Sequence, residues 1–82
     1  MAIKFHDHAI RRLAERRIRR AWVEVTVISP DWTARDPDDP SVTRAFRAIA
    51  NAQGRILRVV HRPDGADILV LTAFFDRGAK RP

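Results

Sequence analysis

The 82-residue chain contains no cysteine. That excludes disulfides, thiolate metal sites and a thiol nucleophile. Tyrosine is also absent. Acid–base work near neutral pH would therefore fall to the histidines, His6, His8 and His61. Only three glycines occur, and none forms a phosphate-cradling loop or a nucleophile elbow. No apolar run approaches the roughly 18 residues of a membrane span. The opening "MAIKFHDH" lacks the apolar stretch of a secretory signal. These absences lead us to expect a soluble, cytoplasmic protein with no membrane association. His6 and His8 are two apart and diverge on a helix, and no second His or carboxylate has metal-ligand spacing. We expect no metal and no cofactor.

Acid is missing from one long segment. Residues 42–62 carry five arginines and no carboxylate, whereas residues 31–41 sum to −3. The formal net charge is +6. An excess of this sign favours polyanions or an acidic protein as partners. Arginine also suits bidentate phosphate contacts better than lysine does.

The length indicates a single domain over 1–82, with 77–82 expected to be a flexible tail. Residues 2–5 read as a short extended lead-in. From Asp7 the apolar positions Ala9, Ile10, Leu13 and Ala14 recur at helical spacing, with Asp7 as N-cap or first-turn acid. His8, Arg12 and Arg16 are four apart and form a stripe on the flank of that apolar face. "AWVEVTVISP" alternates like a strand, yet it follows the first helix after a very short joint and stops at Ser29-Pro30. Strands are predicted in "DWTARD", "VTRAFRAIA", "GRILRVVHR" and "DILVLTAFF", with turns at "DPDDPS", "NAQG" and "PDGA". Strict alternation in the last strand puts Ile68, Val70 and Phe74 on one face and Leu69, Leu71, Ala73 and Phe75 on the other. A strand apolar on both faces is usually covered on both, and a second copy pairing through the sheet is one expected cover.

If the first helix crosses the sheet, His8 and His61 approach each other. One imidazole would deprotonate a ribose hydroxyl, the other would protonate the leaving oxygen, and arginine would stabilise the charge between them. His8, His61 and Arg12 are therefore the candidate catalytic residues. Arg12, Arg16, Arg47 and Arg58 are the candidate nucleic-acid-binding residues, joined below by Thr72 on a resemblance, and none is assigned to a metal.

"HAIRRLAERRI", "AWVEVTVISPDW", "GRILRVV" and "ILVLTAFFDR" together resemble the small bacterial domain-of-unknown-function 4258 proteins. The resemblance runs from Phe5 to Arg77. It implies that "AWVEVTVISP" is a second helix, and it brings Thr72 into the functional surface with His8, Arg12, Arg16 and Arg58. Where that family usually has glycine before the isoleucine, this chain has Arg17. The family is similar in layout to RelE/BrnT-type toxins. The expected fold is thus α+β, two N-terminal helices on one face of a three- to four-stranded antiparallel meander. The expected function is a toxin-like RNA-binding protein, a metal-independent ribonuclease of a toxin–antitoxin pair, with RNA and an acidic antitoxin-like protein as partners. The competing expectation is a non-catalytic interaction module or homodimer whose basic surface is only solvated.

Overall fold

A computed structural model describes all 82 residues. The order of elements is β1 (Ile3–Phe5), α1 (Asp7–Arg16), α2 (Arg20–Ile28), β2 (Trp32–Arg35), β3 (Thr43–Ile49), a short 3-10 turn (Ala50–Ala52), β4 (Arg55–Asp64) and β5 (Asp67–Phe75). The class is α+β. The sheet has five strands in the order β1-β5-β4-β3-β2. It is mixed, not an antiparallel meander of three or four strands, because β1 pairs in parallel with β5. The lead-in becomes a strand because its Phe5 lies opposite Val70 and the His6 N–H reaches the Val70 carbonyl at 3.0 Å. No helix is long and apolar enough to cross a membrane.

Local chemistry explains the first helix. His6 caps it, its Nδ1 accepting from the His8 N–H at 3.1 Å, and Asp7 is the first-turn acid. Arg17 closes it at φ 54° and ψ 42°, in the left-handed region. The Ile18 N–H bonds the Leu13 carbonyl and the Arg17 N–H bonds that of Ala14, which is the Schellman pattern. Ile18 and Leu13 are both buried, which supplies its apolar contact. Glycine adopts this left-handed conformation freely, and Arg17 holds it at a cost of about 1 kcal/mol. The second segment is a helix despite its alternation: Val23 and Thr26, three apart, are fully buried, and Val25 faces outward.

The core gathers Ala9 and Leu13 of α1, Ile18, Val23 of α2, Leu57 and Val59 of β4, and Val70 and Ala73 of β5. α1 packs against β5, and α2 against β3 and β4. One irregularity sets what the opposite sheet face carries. His61 pairs with Val70 but Val60 pairs with Thr72, so Leu71 is an extra residue, a β-bulge. Strict alternation therefore fails in β5. Ala73 follows Val70 into the core, whereas Thr72 and Phe74 turn to the outer face.

Candidate functional site

The bulge brings four strands into one row. Trp32 pairs with Phe46, Phe46 with Arg58, and Arg58 with Phe74. Residues paired across a sheet share a face, so this row crosses the outer face from β2 to β5. Trp32 and Phe46 stack with centroids 4.8 Å apart and planes 8° apart. The Arg58 guanidinium lies between two rings, 5.9 Å from Phe46 and 5.1 Å from Phe74. Its Nη1 donates to Asp76 at 3.3 Å, and its buried Nε has no partner.

Arg16 ends the row from outside. β1 stops opposite Val70, so β5 has an open edge beyond it. Arg16 Nη1 donates to the Ala73 carbonyl at 2.8 Å and to the Thr72 hydroxyl at 3.4 Å. Its guanidinium stands 5.7 Å from the Phe74 ring. Phe74 is thus flanked by two arginines, a cation–π arrangement that holds both planes. No carboxylate pairs with Arg16.

The rest of the stripe is arranged differently. Arg12 Nε donates to His8 Nε2 at 3.4 Å. Arg12 Nη1 also pairs with Glu15 at 2.9 Å. His8, Arg11, Arg12 and Glu15 enclose a small polar hollow of about 160 Å³. Arg47 belongs to the core side of β3, opposite Leu57, and donates to the Ser29 carbonyl at 2.6 Å. His61 lies on β4 between Thr43 and Val70, on the core side, and its imidazole makes no hydrogen bond. Burial pushes its imidazole below the ordinary histidine value. Arg16, Thr72 and Arg58 are therefore drawn together around Phe74. His8 and Arg12 pair with each other on α1. His61 is not hydrogen-bonded to His8.

Phe74, Asp76 and Trp32 are not among the site residues chosen from the sequence. Their place depends on the bulge at Leu71, which no composition or period announces. A partial signal lay in the two-residue hairpin after Asp64: Gly65 takes φ +61°, and Asp64 pairs with Asp67. That turn sets the register only as far as Val70. No three-residue group of His, Asp or Glu is placed to hold a metal ion.

No curated protein and no solved structure was found to match the chain. One family profile does match, over residues 5–75, and its description is "Domain of unknown function (DUF4258)". That span holds both helices, all of β2 to β5 and the Arg16–Thr72 contact, and on it the chain belongs to the DUF4258 family.

Proposed function

We propose that this protein binds RNA, meeting its phosphates at the open edge of β5 and along the flank of α1. Arg16 carries the reading. Its guanidinium is oriented by the Ala73 carbonyl, the Thr72 hydroxyl and the Phe74 ring, and no acid neutralises it. An arginine held this way keeps its charge and its remaining N–H donors for a phosphate. The net charge of +6 supplies the long-range attraction. Two helices between β1 and the antiparallel strands support a RelE/BrnT-like, toxin-like reading, in which an acidic antitoxin-like protein would compete for the same surface. Metal-free cleavage would need an acid–base pair on the bound strand. His8 flanks the surface, but His61 makes no hydrogen bond to it, so the function proposed is binding.

Fluorescence anisotropy with short single-stranded RNA tests this. Wild type binds saturably at low salt. Arg16→Ala binds about tenfold more weakly, the value of one charge-assisted contact, and its salt slope is shallower by about 0.7. Arg16→Lys, which keeps the charge, falls between them. Arg16→Ala binding as tightly as wild type would overturn the proposal. The toxin-like part is read separately: expression slows bacterial growth, and Arg12→Ala with Arg16→Ala relieves it.

A second reading, the interaction module or homodimer, has its own observation. Val25 and Ile28 are exposed on α2, Ile28 by 67%. Beside them a groove of about 240 Å³ is lined by Trp22, Val25, Ala48, Ile49 and Ala50. Here light scattering gives a dimer that Ile28→Lys dissociates and Arg16→Ala leaves intact.

A further inference from the structure

We propose that the cavity at the shared end of β4 and β5 binds a single nucleotide, its phosphate met by Arg77 and Arg55 and its base laid on the Arg55 guanidinium. The cavity holds about 290 Å³ between the turn at Gly54–Ile56 and the segment from Phe75 to Ala79. Ligand pockets generally start at about 300 Å³, so this one suits one small ligand.

Each wall restricts what that ligand is. Arg55 is fixed at two points. Its Nε donates to the Ala52 carbonyl at 3.1 Å, and its guanidinium lies 4.1 Å from the centroid of Phe75. Phe75 is itself braced edge-on by Trp22 at 6.2 Å. A guanidinium backed by a ring is a flat cationic plate, and bases stack on such plates in RNA recognition. Neither Arg55 nor Arg77 forms an ion pair. Asp76 is the one acid in the lining, and it is engaged by Arg58 at 3.3 Å and by the Gly78 N–H at 3.0 Å. An entering phosphate therefore meets two uncompensated cations, while Ile56 and Ala79 give the base an apolar side. Gly54 has φ +72°, and a Cβ built there would meet nothing within 4 Å, so the cavity is open above it.

The ligand's source rests on the RNA-binding reading. The Arg58–Asp76 pair joins the cavity to the row that ends at Arg16, so a strand bound along β5 would reach it. Asp76, Arg77 and Ala79 lie beyond the residues matched by the family profile. The wall they form belongs to this chain, not to the matched family region.

Backbone-amide NMR of the full chain, titrated with adenosine monophosphate, adenosine and inorganic phosphate, tests the site. The monophosphate should shift the amides of Gly54, Arg55, Arg77 and Gly78 saturably. Adenosine and phosphate alone should each bind about tenfold more weakly or less. Arg55→Lys keeps the charge but loses the plate, and Arg77→Ala loses a phosphate donor. Each should weaken the monophosphate about tenfold, whereas Arg35→Ala, a charge-matched change on β2, should not. Unmoved amides, equal binding of phosphate alone, or an unaffected Arg55→Lys would overturn the site. If RNA binds and the monophosphate leaves these amides still, the nucleotide site fails and the RNA reading stands. If the monophosphate binds and RNA does not, the site stands with free nucleotide as its ligand and the RNA reading fails.

Discussion

The two faces of the sheet share their strands and differ in what holds their side chains. On the core face, Leu57, Val59, Val70 and Ala73 have no exposed surface. One position along, the outer face carries Arg58, Val60, Thr72 and Phe74, all partly exposed. Water removal secures the first set. Geometry secures the second: rings in register, a carboxylate for Arg58, another for Arg44 at 3.2 Å, and a backbone carbonyl for Arg16. Pairing with a carboxylate orients an arginine and neutralises it. Pairing with a carbonyl orients it and leaves its charge. That difference singles out Arg16 among the arginines of the row.

The largest break in this comparison is Leu57→Ala. Losing a fully buried leucine costs about 2–5 kcal/mol through lost burial and a residual cavity. Urea unfolding should show it, and the molecules that remain folded should bind RNA as wild type does. Next is Asp76→Asn on the outer face. It strands Arg58, whose Nε already lacks a partner. Both side chains of the pair are 21% exposed, so solvent screens part of the loss and about 1–2 kcal/mol is expected. Arg58→Met added to Asp76→Asn should recover part of it, because no unpaired charge is left. A double variant as unstable as the sum of the two singles would mean that Arg58 matters through its ring contacts and not through its ion pair.

A third change separates the helix end from the arginine it presents. Arg17→Gly relieves the left-handed conformation and should stabilise the fold by about 1 kcal/mol in thermal melts. The Arg16 contacts to Ala73 and Thr72 should persist. If the Ala73 contact is lost in this variant, the strained joint is what aims Arg16 at the sheet edge.

Much of the fold could be read from local pattern. The spacing of Ala9 and Leu13, the Asp-Pro turn and the strand periods all depend on near neighbours, and those elements stand where they were expected. Three features depend on distant partners and could not be read this way. β1 is a strand only because β5 lies beside it. The alternation of Val23, Val25 and Val27 suggests a strand, but burial of Val23 and Thr26 decides for a helix, with the Thr26 hydroxyl turned back to the Trp22 carbonyl at 2.7 Å. The bulge at Leu71 reverses the facing of Thr72 and Phe74. The candidate site divides in the same way. Acid-free arginines do gather on β3 and β4, yet strand alternation sends Arg44, Arg58 and Arg62 to the outer face and Arg47 and Arg55 to the core side.

The smallest expected effect concerns pH and belongs to the core face. It rests on His61, which lies on that side of β4. Burial lowers its folded pKa below the ordinary value of 6.5. Above that value the imidazole is neutral in both states and the fold keeps its full stability. As pH falls through it, the unfolded chain takes up the proton first, so stability declines until the folded-state pKa is passed, and then this contribution is constant. The carboxyl of Asp36, held low by the Asp38 N–H and then by Arg44, adds its loss only in the more acidic range below 3.8. The two windows therefore separate. Chemical denaturation between neutral and mildly acidic pH should show a shallow fall in wild type, and His61→Gln should flatten it without altering the acid limb. An unchanged fall in that variant would mean that acid sensitivity near neutrality arises outside the core face.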